Sequence, residues 1–176
     1  MEYPIETNIG KEYQIEMNRS YRNNGPAWAN IPARNPNPEN QQNELRDYGP
    51  EPFVVDIEEA TLKNTNFRTA LWTGEYLQLT LMSIDVGGEV GLELHPDVDQ
   101  FIRVERGEGM AMMGDSRDDL YYRRRVEDDY VILIPAGKWH NLINTGRTPL
   151  KLYSIYAPPE HPRGTVHVTS ADGEHH

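Results

Sequence analysis

The sequence predicts an all-β domain behind an irregular N-terminal tail, with one short helix, on three observations. From Pro52 onward, short apolar or alternating runs recur. Each run closes on Gly, Pro, Asn or Asp, and no long periodic stretch of helical spacing separates them, which is the pattern of a β-sandwich or barrel. Residues 1–50, by contrast, hold nine Asn and six Pro with few aliphatic side chains, so they cannot bury a core of their own. The expected organisation is a Pro/Asn-rich polar tail over 1–50, able to dock, then a β-barrel over 51–170 and a C-terminal tail over 171–176.

Within the tail, Glu12 to Tyr21 has the makings of a short helix, and Trp28 and Ile31 are suited to docking in a groove. Arg34 to Asn43 (RNPNPENQQN) reads as linker. Phe53 to Val55 is expected to be a short strand. Asp56 can cap a brief helix running to about Lys63, with Glu58 and Glu59 favourably placed in its first turn. Strands are expected at Phe67–Trp72, Tyr76–Ile84, Gly91–Leu94, Gln100–Arg106, Gly109–Met113, Leu120–Val126, Tyr130–Ile134, Trp139–Ile143 and Leu150–Tyr156. Arg123-Arg124-Arg125 lies in an otherwise acidic hairpin, which predicts a solvated, salt-bridged strand edge.

Composition narrows the function classes. The chain has 176 residues, 17 Lys+Arg against 28 Asp+Glu and a formal charge of −11. Nucleic-acid binding and adhesion to anionic membranes are disfavoured, because both need a basic face. There is no cysteine, which excludes disulfides, thiolate metal sites and cysteine nucleophiles. No apolar run approaches the roughly 20 residues of a membrane span, and the N-terminus has no signal-peptide pattern. The expectation is a cytoplasmic protein without nucleic-acid or membrane partners. Exposed strand edges in an open barrel predict a homodimer.

Two segments carry the chemistry. Glu93 and His95 are two apart on a strand and share a face. Gln100 begins the next strand after a turn built on Pro96 and Asp97. His140 begins another after the Pro135-Ala136-Gly137 turn. Two imidazoles, one carboxylate and one amide oxygen at strand starts can converge inside a small barrel as ligands of a divalent metal ion, with Mn, Zn, Fe and Ni all compatible.

These segments resemble the two motifs of the cupin superfamily. The first runs from Gly87 through Glu93, His95 and Gln100 to Gly107, and the second from Asp129 through Pro135, Gly137 and His140 to Asn144, each with the family's spacing. The departures are Glu93 at the family's first histidine, Gln100 at its glutamate and Asp129 at the second motif's leading glycine. The resemblance covers roughly residues 53–168 and implies a double-stranded β-helix, or jelly-roll, barrel with Glu93, His95, Gln100 and His140 around a metal. More specifically, Phe67–Gly74, Leu79–Phe101, Pro135–Gly146 and Leu150–Thr169 resemble the small single-domain cupins called mannose-6-phosphate isomerase-like. The polar tail is similar in composition to that of spore-coat cupins.

Around this site, alternation turns Ile102, Val104, Leu142 and Asn144 inward and Phe101 and Arg103 outward. Arg68, which shares a face with Trp72, could hold a carboxylate or phosphate. Lys138 stands in the turn before His140, near the expected mouth. Tyr153 and Tyr156 lie on opposite faces of one strand, so at most one faces in; Tyr153 is assigned with Arg68 and Lys138 to substrate binding. His161 and His167 are expected to be structural. No catalytic base is readable. The expected function is action on a small sugar or sugar-phosphate-like substrate through a metal-polarised carbonyl, as in an isomerase. The alternatives are a non-haem iron dioxygenase and a non-catalytic, metal-stabilised barrel in an assembly such as a spore coat.

Overall fold

A computed structural model divides the chain into two units, Met1–Asn40 and Gln41–His176. The structure describes residues 44–173. The expected helix at Glu12–Tyr21, the linker at Arg34–Asn43 and the docking of Trp28 and Ile31 lie outside the described residues.

One short helix opens the domain. Helix α1 (Ile57–Lys63) is capped by Asp56, whose carboxylate accepts the Glu59 N–H at 3.0 Å, as the sequence leads one to expect. Ten strands follow: β1 (Arg68–Thr73), β2 (Gln78–Ile84), β3 (Glu93–Leu94), β4 (Asp99–Arg106), β5 (Gly109–Gly114), β6 (Tyr122–Val126), β7 (Val131–Ile134), β8 (Trp139–Asn144), β9 (Leu150–Ala157) and β10 (Val166–His167). All pairings are antiparallel. One sheet has the order β10-β1-β2-β9-β4-β7 and the other β3-β8-β5-β6, the two layers of a jelly roll. Phe53–Val55 forms no strand. The segment is irregular, and its Phe53 and Val55 side chains pack against the cluster of Ala60, Leu71 and Leu81. The short strand β10, which pairs with Arg68 and Thr69 of β1, was not foreseen.

The alternation of β4 puts Gln100, Ile102 and Val104 inside, with Phe101 and Arg103 less buried. Ile102 and Val104 meet Ala111 of β5, Ile132 and Ile134 of β7, Leu142 of β8 and Leu150 and Leu152 of β9 in one apolar core. A second, outer cluster forms where Ala60, Leu71 and Leu81 are covered by Leu45, Tyr48, Phe53, Val55 and Ile57. The register of β1 shifts between Ala70 and Trp72. The simple alternation that would have set Arg68 and Trp72 on one face is broken there, and the Trp72 indole donates to the Glu51 carbonyl at 2.8 Å.

Asn144, the last position of the second motif, is a structural knot. Its amide donates to the carbonyls of Ile84, Asp85 and Thr148 and accepts the Gly146 N–H at 2.9 Å, tying the ends of β2 and β8 together. Asp129, where the motif has glycine, adopts φ 70°, a left-handed conformation that Asp tolerates better than most residues. The arginines of β6 have no ion pair among the described residues, contrary to the salt-bridged edge expected. Arg123 and Arg124 donate to the Leu120 and Arg123 carbonyls, and Arg124 lies 4.7 Å above the Tyr122 ring.

Asp47 ties three segments together. It accepts the Gly49, Thr73 and Gly164 N–H groups at 3.0, 3.0 and 2.9 Å and the Thr73 hydroxyl at 2.6 Å. Partial burial works against its charge, but these donors prevail and hold the carboxyl below its usual value. A lowered folded pKa gives stability that is complete above the unfolded value, about 3.9, and that is lost as pH falls through the folded value. Asp47→Asn should therefore cost about 1 kcal/mol near neutral pH. Urea melts at pH 7 and at pH 3 should show that deficit shrinking in acid. A deficit that is the same at both pH values would mean the charge contributes nothing.

Candidate metal centre

The two motif segments meet because β3 pairs with β8 in the register Glu93↔His140. The preceding chain is laid along β8 by the Val90 N–H to Leu142 carbonyl and Asn144 N–H to Gly88 carbonyl bonds, both 2.9 Å. The turn before His140 is fastened to the other histidine: the Gly137 N–H donates to the His95 carbonyl at 2.8 Å. Gly137 stands at φ 77°, where a side chain would strain the turn. Backbone bonds thus place Glu93, His95 and His140 so that one ligand atom of each lies within 4.8 Å of the others.

Each of these side chains has one polar atom held by the protein. His95 Nδ1 stands 3.1 Å from Glu160 Oε1. His140 Nδ1 is 2.9 Å from the Lys138 carbonyl. Glu93 Oε1 is 3.4 Å from Arg68 Nη2, and Gln100 Nε2 donates to Ser154 Oγ at 2.9 Å. The other atom of each, Glu93 Oε2, His95 Nε2, Gln100 Oε1 and His140 Nε2, is buried without a hydrogen-bond partner.

The tautomers follow from the partners. A carbonyl and a carboxylate only accept, so each Nδ1 carries the proton and each Nε2 of a neutral ring presents a lone pair. Glu93 Oε2 then faces His95 Nε2 at 3.4 Å and His140 Nε2 at 3.8 Å. Acceptors crowded this way repel one another unless a cation lies between them. Ligands bound at about 2.0–2.2 Å to one ion stand roughly 3–3.5 Å apart, so this donor set fits a divalent metal.

The electrostatics of Glu93 and His140 agree, whereas the carboxylates beside His95 favour its charged form when no cation lies between them. Burial opposes charge on Glu93, yet His95, Arg68 and His140 hold its carboxyl below the usual carboxylate value. Burial alone would lower His95, but Glu93 and Glu160 outweigh it and raise the imidazole. Burial pushes His140 down, against the Lys138 carbonyl and Glu93, and keeps it neutral.

The other residues singled out in the sequence are placed as follows. Arg68 is 2% exposed, with Nη2 3.4 Å from Glu93 Oε1, which places it beside the cluster. The Lys138 ammonium pairs with Asp115 on the surface, and only the Lys138 carbonyl reaches the site. Tyr153 stacks on Phe101, with centroids 6.1 Å apart, and belongs to the outer cluster; Tyr156, fully buried, takes the inward position with its ring edge-on to His95. His161 is half-buried and held neutral, its pKa lowered to about 3 chiefly by desolvation. Neither it nor His167 joins the ligand cluster. Glu160 was missed: it stands in the turn-rich run Pro158-Pro159-Glu160-His161-Pro162, and nothing in that run signals its return to His95.

The fold and the site together define a cupin, and comparison with known proteins agrees. A family model described as "Cupin domain" matches residues 80–156. Protein YrkC of Bacillus subtilis (strain 168) is 63% identical over 128 residues, which are 73% of this chain and 69% of YrkC. Protein L612 of Acanthamoeba polyphaga mimivirus is 41% identical over 117 residues, 66% of this chain and 71% of L612. The chain belongs to the cupin family. A crystal structure of BH2720 from Bacillus halodurans shares 61% identity and superposes with a TM-score of 0.73, covering 73% of this chain and 98% of that one.

Proposed function

We propose that this cupin is a metal-dependent enzyme of isomerase type, acting on a small sugar-like hydroxy-carbonyl substrate. The observation that carries the metal is the convergence of buried, partnerless acceptor atoms from Glu93, His95 and His140. Gln100, the fourth partnerless acceptor, is the fourth ligand in this reading. A divalent ion held there supplies Lewis acidity toward a carbonyl and its neighbouring hydroxyl. With one carboxylate in the set, much of the ion's charge is left for that work. Glu160 and the Lys138 carbonyl keep both imidazoles in the ligating tautomer. Arg68 and Lys138 are each committed to a carboxylate, which favours an unphosphorylated substrate over a sugar phosphate.

The test is elemental analysis of protein purified without a chelating column, followed by assay of an aldose–ketose panel. About one equivalent of manganese or zinc, with interconversion of at least one neutral sugar that chelator treatment abolishes, is the expected result. Glu93, His95 and His140 are also a two-histidine, one-carboxylate set, the type used by non-haem iron oxygenases. Bound iron with substrate-dependent oxygen uptake would overturn the isomerase reading in favour of that one.

A further inference from the structure

The segment after β9, residues 158–164, crosses back over the site and is held by a side chain that the metal reading does not use. Gln78 is fully buried on β2 and is the cross-strand partner of Tyr156. Its amide clasps the backbone of His161 from both sides: the His161 N–H donates to Gln78 Oε1 at 2.9 Å, and Gln78 Nε2 donates to the His161 carbonyl at 2.8 Å. Nε2 also reaches the Thr73 hydroxyl at 2.9 Å, so the amide is fully engaged and fixed in orientation.

That clasp bears on His95 by two routes. Glu160, one residue before the clasped peptide, holds His95 Nδ1 at 3.1 Å. The His161 ring packs edge-on to Tyr156 at 5.0 Å between centroids, and Tyr156 packs edge-on to His95 at 5.8 Å. His161 is neutral across the physiological range, so it serves as a wall for Tyr156 and not as a charge. His95 is thus oriented by two consecutive residues whose shared backbone is set by Gln78.

We propose that Gln78 is a positioning residue of the metal centre, acting through Glu160 and Tyr156 to fix the His95 imidazole for the ion. The inference rests on the metal reading above. A direct partner of a ligating histidine, such as Glu160, is worth about 10–100-fold in metal affinity, which sets the ceiling for a residue acting through it.

The experiment is competitive zinc titration of the full chain against a chromophoric chelator, with thermal melting of the metal-free protein alongside. The variants are Gln78→Met, which keeps the volume and deletes both clasping bonds, Glu160→Ala, and the two combined. Glu160→Ala should weaken zinc binding about 10–100-fold, and Gln78→Met measurably but by no more than that. The double variant should bind more tightly than the product of the two single losses predicts, because the route through Glu160 is shared and only the route through Tyr156 is separate. Gln78→Glu keeps the acceptor for the His161 N–H but sets a carboxylate oxygen against the His161 carbonyl, so it should weaken zinc binding in step with Gln78→Met, and Gln78→Leu stands in if Gln78→Met fails to fold. A lower melting temperature with unchanged zinc affinity in Gln78→Met would make Gln78 a structural residue only and overturn the inference. So would losses that simply multiply in the double variant. If the unaltered chain binds no zinc or other divalent ion, the metal reading itself falls. That outcome is distinct from a chain that binds zinc regardless of residue 78.

Discussion

Replacing His95 or His140 with alanine should cost the chain nearly all of its metal affinity. Four-ligand structural zinc sites are worth about 10–16 kcal/mol, so one ligand carries roughly 3–4 kcal/mol, or about a few hundred-fold in Kd. Glu93→Gln should come close to that loss, because Glu93 brings the only negative charge in the set and Arg68 would be left buried beside a neutral amide. Gln100→Ala should cost less, since an amide oxygen is a weaker donor. Gln100→Glu should bind more tightly than the unaltered chain, because it adds a second carboxylate. Competitive zinc titration of the five variants checks the order. If Glu93→Gln binds as well as the parent, Glu93 is not a ligand, and both the isomerase and the oxygenase readings lose their support.

The second large effect is expected far from the metal. Leu152 is fully buried at the middle of β9, opposite Met82 of β2 and Val104 of β4, and all three belong to the inner core. Leu152→Ala leaves a cavity that rigid neighbouring strands cannot fill, at about 3 kcal/mol, or on the order of 10 °C in melting temperature. Leu133, on β7, is 66% exposed, and Leu133→Ala should stay within about 0.5 kcal/mol. Equal losses from the two changes would mean that the inner core is misassigned.

Much of this was legible because strands record burial with period two. Glu93, Gln100 and His140 lie at or next to strand starts and His95 just past the end of β3, all beside turn-formers, and the alternation that follows Gln100 marks the inner wall. The same rule failed where its premise failed: a register shift between Ala70 and Trp72 interrupts β1. For Tyr153 and Tyr156, alternation said only that the two oppose each other; the register with Gln78 and Gln100 decides which one turns in. The partners that orient the ligands were hidden for another reason. Glu160 lies 65 positions from His95 and Gln78 lies 83 from His161. Neither belongs to a periodic pattern, so only the closed fold brings them to the site.

The carboxylate of Asp47 also says where this domain can be cut. Composition placed the barrel's beginning at residue 51, but Leu45 and Tyr48 cover the outer cluster, and Asp47 reaches a turn 117 positions further along the chain. A truncated chain starting at residue 51 would leave the Thr73 and Gly164 amides without their acceptor and would uncover Leu71 and Leu81. It would also remove the tether at Gly164 from the segment that carries Glu160 and His161, leaving that segment to Gln78 and to the Ala70 N–H to Thr165 carbonyl bond. The smallest self-sufficient piece therefore begins no later than Leu45, and a shorter one would impair the metal centre from a distance while containing every residue that touches the ion.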